Sequence, residues 1–139
     1  DPKSVHTLVV HHTVGAAPIT IAGARREMRN IQRMHMQAHG WSDIGYNVVI
    51  DRWGRIWEGR GLTRVGAHTL LHNTGTIGVS FMGNYENLKL NARQLRAFGD
   101  LRQILKAHGI SGYAIKGHRQ MPDQATACPG RHIMEQLKL

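Results

Sequence analysis

The chain has 139 residues, the length of a single domain with its own core; 41% are hydrophobic and 19% charged, the proportions of a soluble globular protein. No apolar run approaches the roughly 18 residues that a membrane span needs, and the single cysteine, Cys128, excludes an internal disulfide. Eighteen Lys and Arg against nine Asp and Glu leave a net charge of +9, which draws a surface to polyanions without choosing among nucleic acid, anionic lipid and wall polymer.

In chain order, Val5 to Val10 is β-branched and apolar and predicts a buried strand that runs into His11-His12-Thr13. Thr20 is placed to cap a helix carrying Ile21, Ala24, Met28 and Ile31 at three- and four-residue spacing, with Gly40 to end it. Asn47 to Asp51 and Arg55 to Gly59 read as two short strands, joined by the turn residues Asp51-Arg52-Trp53-Gly54. Thr76 to Met82, bounded by Gly75 and Gly83, is a further strand. Asn91 caps a second predicted helix with Leu95, Phe98, Leu101 and Leu105 on one stripe and Gly109 as its stop. Ala114 to Lys116 is a short strand that delivers His118 to a loop ending at Cys128. Pro129 suits the first turn of a last helix, Gly130 to Leu137. No repeat, low-complexity segment or linker divides residues 1–139. Strands alternating with helices imply one α/β domain with a central mixed sheet of about five strands, flanked by helices. No secretory signal is legible; the chain begins at Asp1 rather than Met, which leaves a leader or a second domain open.

Ten histidines in so short a chain invite a search for a metal site. His11 falls at the end of the first predicted strand, His118 just past the last one, and Cys128 ten residues later. Strand ends and the loops that follow them are where α/β folds place ligands. Two imidazoles and one thiolate suit zinc with a fourth position left for water, the pattern of a catalytic rather than structural ion. Neighbours on a strand face opposite sides, so only one of His11 and His12 can reach that site, and spacing does not say which.

Seven stretches, in order from about residue 8 to residue 131, carry a resemblance. They are Val9-Val10-His11-His12-Thr13, Gly40-Trp41-Ser42-Asp43-Ile44-Gly45-Tyr46-Asn47, Glu58-Gly59-Arg60-Gly61, Gly66-Ala67-His68-Thr69, Gly78-Val79-Ser80-Phe81-Met82-Gly83, Gly117-His118-Arg119-Gln120 and Cys128-Pro129-Gly130. Together they resemble the peptidoglycan recognition proteins and type 2 N-acetylmuramoyl-L-alanine amidases, a family that includes phage amidase lysins. The resemblance implies zinc held at one sheet edge by His11, His118 and Cys128, which decides between the two adjacent histidines. It also implies Tyr46 and Thr126 as residues that assist the reaction, and His35, Trp41 and His68 near the groove for stem peptide and muramic acid. Two departures stand out. Met121-Pro122-Asp123-Gln124-Ala125 makes the His118-to-Cys128 loop two residues longer than the common family interval, and Leu62 stands where many members carry tryptophan.

The function implied is a zinc amidase that cuts the bond between the lactyl group of muramic acid and L-alanine in bacterial peptidoglycan. A receptor that holds peptidoglycan without cutting it is the alternative; such relatives lack the cysteine ligand. Nucleic acid is not an expected partner, since nothing resembles a recognition helix, a stacking platform or a phosphate loop. A monomer is expected. The family's secreted animal members usually carry a disulfide, so this chain implies a bacterial or phage enzyme acting on the cell wall. It would be secreted, or made in the host cytoplasm and released at lysis.

Overall fold

The structure is a computed structural model, and it describes residues 4–139. The first strand, β1 (Thr7–His12), is buried along its whole length, and Leu8, Val9 and Val10 are fully enclosed. A strand covered on both faces needs a continuous apolar run rather than alternation, which is why Leu8-Val9-Val10 reads as it does. It pairs in parallel with β4 (Thr76–Phe81) on one side and with β5 (Ala114–Gly117) on the other. Next to β4 lies β2 (Val48–Ile50), again parallel, and the antiparallel β3 (Ile56–Glu58) closes the sheet in the order β3-β2-β4-β1-β5. The expected mixed sheet of five strands is therefore present.

The β2–β3 hairpin is held by its own turn. The Asp51 carboxylate, fully buried, accepts the backbone N–H of Trp53 and of Arg55 at 2.9 Å each. It also takes the Trp57 indole N–H at 2.9 Å and the Arg55 guanidinium at 3.1 Å.

Helix α1 (Ile21–His39) starts where Thr20 accepts the Gly23 N–H and stops at Gly40, whose φ of 69° lies in the left-handed region that favours glycine. Helix α2 (Ala92–Ala107) begins with a reciprocal capping box between Asn91 and Gln94. Strand parity splits the core into two layers. Leu8, Val10, Val48, Ile50, Val79 and Phe81 pack on one face with Phe98, Leu101 and Leu105 of α2. On the other face Val49 packs with Ala24 and Ile31 of α1.

Two local expectations change. Leu95 is 40% exposed, because Gln94 takes the inward position beside it and donates to the Tyr85 hydroxyl at 2.6 Å. The buried stripe accordingly runs through Gln94, Phe98, Leu101 and Leu105. The last helix, α3 (Arg131–Gln136), excludes Pro129 and Gly130. Gly130 sits at φ 95°, outside helical space, and a β-carbon there would collide with the Tyr85 carbonyl. No helix among the described residues is long and apolar enough to cross a membrane.

Candidate metal centre

The carboxyl end of β1 carries two adjacent imidazoles, and alternation sends them to opposite faces. His12 shares the parity of Leu8 and Val10, and its Nδ1 accepts the Tyr85 N–H at 3.1 Å on the α2 side. His11 turns the other way and is buried against His68 and Tyr46. Alternation along β1 thus turns His11, not His12, toward His68 and Tyr46.

Parallel pairing brings the other residues in. Val10 lies opposite Gly117, so His118, at the start of a 3-10 turn directly after β5, lands beside His11 with ring centroids 4.6 Å apart. The returning loop is tied down where the Arg119 N–H donates to the Cys128 carbonyl at 2.9 Å and the His12 N–H donates to Cys128 Sγ at 3.4 Å. Cys128 Sγ lies 3.6 Å from His11 Nδ1, and one donor atom from each of His11, His118 and Cys128 falls within 4.8 Å of the others. Ligands sharing a tetrahedral zinc at normal bond lengths stand roughly 3.5 Å apart, so the set fits such an ion. Among the described residues no other group of three His, Cys, Asp or Glu converges in this way. The longer loop before Cys128 does not keep its sulfur from the two imidazoles.

The electrostatics agree. Burial, then the neighbouring His68, His118 and His12, hold the His11 imidazole well below its ordinary value, so it is neutral. Burial likewise lowers His118 and takes His68 down to about 3. The Cys128 thiol is pushed up to about 12, chiefly by burial. Neutral imidazoles cannot balance a thiolate, whereas a divalent cation can.

Behind His11 lies a chain of hydrogen-bonding groups. The Thr76 hydroxyl donates to the carbonyls of His72 and Asn73, which leaves its oxygen to accept from His68 Nε2 at 3.2 Å. His68 Nδ1 is then an acceptor, with His11 Nε2 and the Thr69 hydroxyl each 2.9 Å away. His11 Nδ1 is the ring nitrogen that faces Cys128. This arrangement needs Gly78, because a β-carbon there would occupy the place of the His68 ring.

His11, His35, Trp41, Tyr46, His68, His118, Thr126 and Cys128, the residues singled out in the sequence, all line one cavity of about 350 Å³. Its wall is aromatic: His39 stacks on Trp41 at 4.5 Å, and His35 stands edge-on to both Trp41 and Tyr46. His35 is not on a solvated helix face; its Nδ1 accepts the Gly45 N–H at 2.8 Å and ties α1 to the segment that carries Tyr46. Leu62 packs with the α2-side core and does not line this cavity. A larger cavity of about 540 Å³ lies between α2 and Tyr113, but it holds no histidine, cysteine or carboxylate. Chemistry rather than size marks the site. Sequence reasoning missed Thr76 and Gln124 as outer partners; no local signal betrays either, because each meets its histidine only through folded loops.

Fold and donor set define a single-domain α/β protein with three side chains placed to hold a metal ion, gathered at the carboxyl ends of its strands. The family described as N-acetylmuramoyl-L-alanine amidase matches residues 1–131, and the chain belongs to that family. Peptidoglycan-recognition protein SC2 of Drosophila melanogaster is 40% identical over 132 residues, which cover 94% of this chain and 71% of that protein. Peptidoglycan recognition protein 1 of Bos taurus is 40% identical over 134 residues, covering 94% and 70%. Among solved structures, the ectodomain complex of peptidoglycan recognition proteins LCa and LCx bound to tracheal cytotoxin superposes with a TM-score of 0.92. Identity there is 35%, over 97% of this chain and 81% of that one. Drosophila PGRP-LB gives a TM-score of 0.90 at 29% identity, over 96% and 79%.

Proposed function

We propose that this chain is a zinc-dependent N-acetylmuramoyl-L-alanine amidase that hydrolyses the lactyl–L-alanine bond of bacterial peptidoglycan. The observation that carries the reading is the convergence of His11, His118 and Cys128 in the cavity that also holds Tyr46. Zinc, when bound, supplies Lewis acidity toward the scissile carbonyl and the attacking water.

The remaining work belongs to side chains. Burial, then the nearby Cys128 sulfur, push the Tyr46 phenol up to about 12, so it stays protonated and serves as a donor. It donates a hydrogen bond to the carbonyl oxygen as negative charge gathers there. Thr126 Oγ1 accepts the Cys128 N–H at 3.1 Å, which leaves the hydroxyl proton free for the substrate. His35, Trp41 and His68 form the groove wall that orients the muramoyl peptide. The net charge of +9 favours a wall rich in carboxylates and phosphates. The enzyme acts on the wall as a monomer, as a secreted hydrolase or a phage lysin.

Recognition without cleavage is the rival, since the relatives above are named for recognition. Cys128 favours the enzyme, because a receptor has no use for a buried thiol facing two neutral imidazoles. Purified peptidoglycan incubated with the zinc-loaded protein is expected to release free stem peptides beginning with L-alanine, identified by mass spectrometry. Binding to walls by a zinc-loaded chain that releases nothing overturns the amidase in favour of the receptor.

A further inference from the structure

The segment Met121–Ala125, which lengthens the loop between His118 and Cys128, holds a side chain with a defined task. Gln124 Nε2 donates to the carbonyl of Leu70 at 2.9 Å and to that of Pro122 at 3.1 Å. Carbonyl oxygens only accept, so these two contacts fix which end of the amide carries hydrogen. Gln124 Oε1 therefore faces His118 Nε2, 2.8 Å away, as an acceptor. An acceptor at that distance requires a proton on Nε2, which leaves the lone pair of His118 on Nδ1.

We infer that Gln124 is a positioning residue for the metal centre: it locks His118 as the Nδ1 ligand, while the adjacent Leu70 carbonyl holds the amide in place. The inference rests on the amidase reading, in which His118 holds zinc. It gives the site two matched supports. His68, itself in contact with Thr76 and Thr69, backs His11 as Gln124, held by Leu70, backs His118. His118 then presents Nδ1 before any ion arrives, and the ordering cost of assembling the ligands falls. The Leu70 anchor lies between His68 and His72, so the same loop steadies both supports.

The test measures zinc affinity by competition with a chelator, in the wild type and in Gln124→Ala and Gln124→Glu. Imidazole nitrogen shifts in the metal-free proteins report the tautomer of His118. Gln124→Ala is expected to weaken zinc binding about tenfold to a hundredfold, the usual cost of losing an outer partner, and to let His118 populate both tautomers. Gln124→Glu keeps an acceptor for Nε2–H while losing the donation to Leu70, and is expected to lose less zinc affinity than Gln124→Ala. Thermal unfolding checks that the variants fold. Equal zinc affinity in Gln124→Ala and wild type overturns the inference, as does a wild-type His118 protonated on Nδ1. Equal losses in both variants overturn it as well, since they assign Gln124 to anchoring the loop alone. A wild type that takes up no zinc sinks the amidase reading instead, and the His118 tautomer then still reports whether the lock exists.

Discussion

The phenol of Tyr46 stands 5.4 Å, ring to ring, from His11 and lines the same cavity as His118 and Cys128. Held up to about 12, it is a donor throughout the working pH range. Tyr46→Phe removes one hydrogen bond to the developing oxyanion, and turnover is expected to fall by about a hundredfold or more with zinc content unchanged. Unaltered turnover removes Tyr46 from the chemistry. Cys128→Ser exchanges a soft ligand for a hydroxyl that resists ionisation. Zinc measured by atomic absorption, and hydrolysis with it, are expected to be lost, while sedimentation with purified walls persists because the groove wall is intact. A serine variant that retains stoichiometric zinc would show that the two imidazoles suffice.

Elements position these side chains through contacts far from the groove. The β2–β3 hairpin depends on Asp51, whose carboxylate gathers two backbone N–H groups, an indole and a guanidinium in a site closed to water. Asp51→Ala leaves those donors unpaired, and chemical denaturation is expected to show a loss of about 3 kcal/mol. Zinc affinity should change little, since the hairpin turn lies across the sheet from β5. Asn47 links three segments: its amide donates to the carbonyls of Gly61 and Arg64 and accepts the Gly78 N–H at 2.8 Å. That clasp holds the 61–68 segment over β4, and with it the His68 ring that supports His11. Gly78→Ala drives a methyl group into that ring. The expected result is weaker zinc binding together with a lower Tm, and a variant with wild-type zinc affinity would separate His68 from the metal.

Across the molecule, burial keeps the imidazoles of His11, His12, His35, His68 and His118 below their ordinary value. Below roughly pH 6.5 the unfolded chain binds protons that the folded one refuses. Stability of the metal-free protein is therefore complete above that value and falls as pH drops through the window below it, which for His68 reaches down to about 3. Thermal unfolding in chelator is expected to show a clearly lower Tm at about pH 5 than at about pH 7.5; an unchanged Tm would mean that these rings accept protons in place. The sequence by itself determined what sterics and capping decide over a few residues. The Leu8-Val9-Val10 strand, α1 between Thr20 and Gly40, and the turn at Asp51–Gly54 were all legible, and motif order along the chain marked residues that share one cavity. Tertiary structure alone decided the rest. Sheet register turned His11 rather than His12 toward Cys128, Tyr85 drew Gln94 inward in place of Leu95, and loop packing set Thr76 behind His68 and Gln124 behind His118. Those contacts depend on where distant segments land, 57 residues apart for His11 and His68, and no local pattern encodes that.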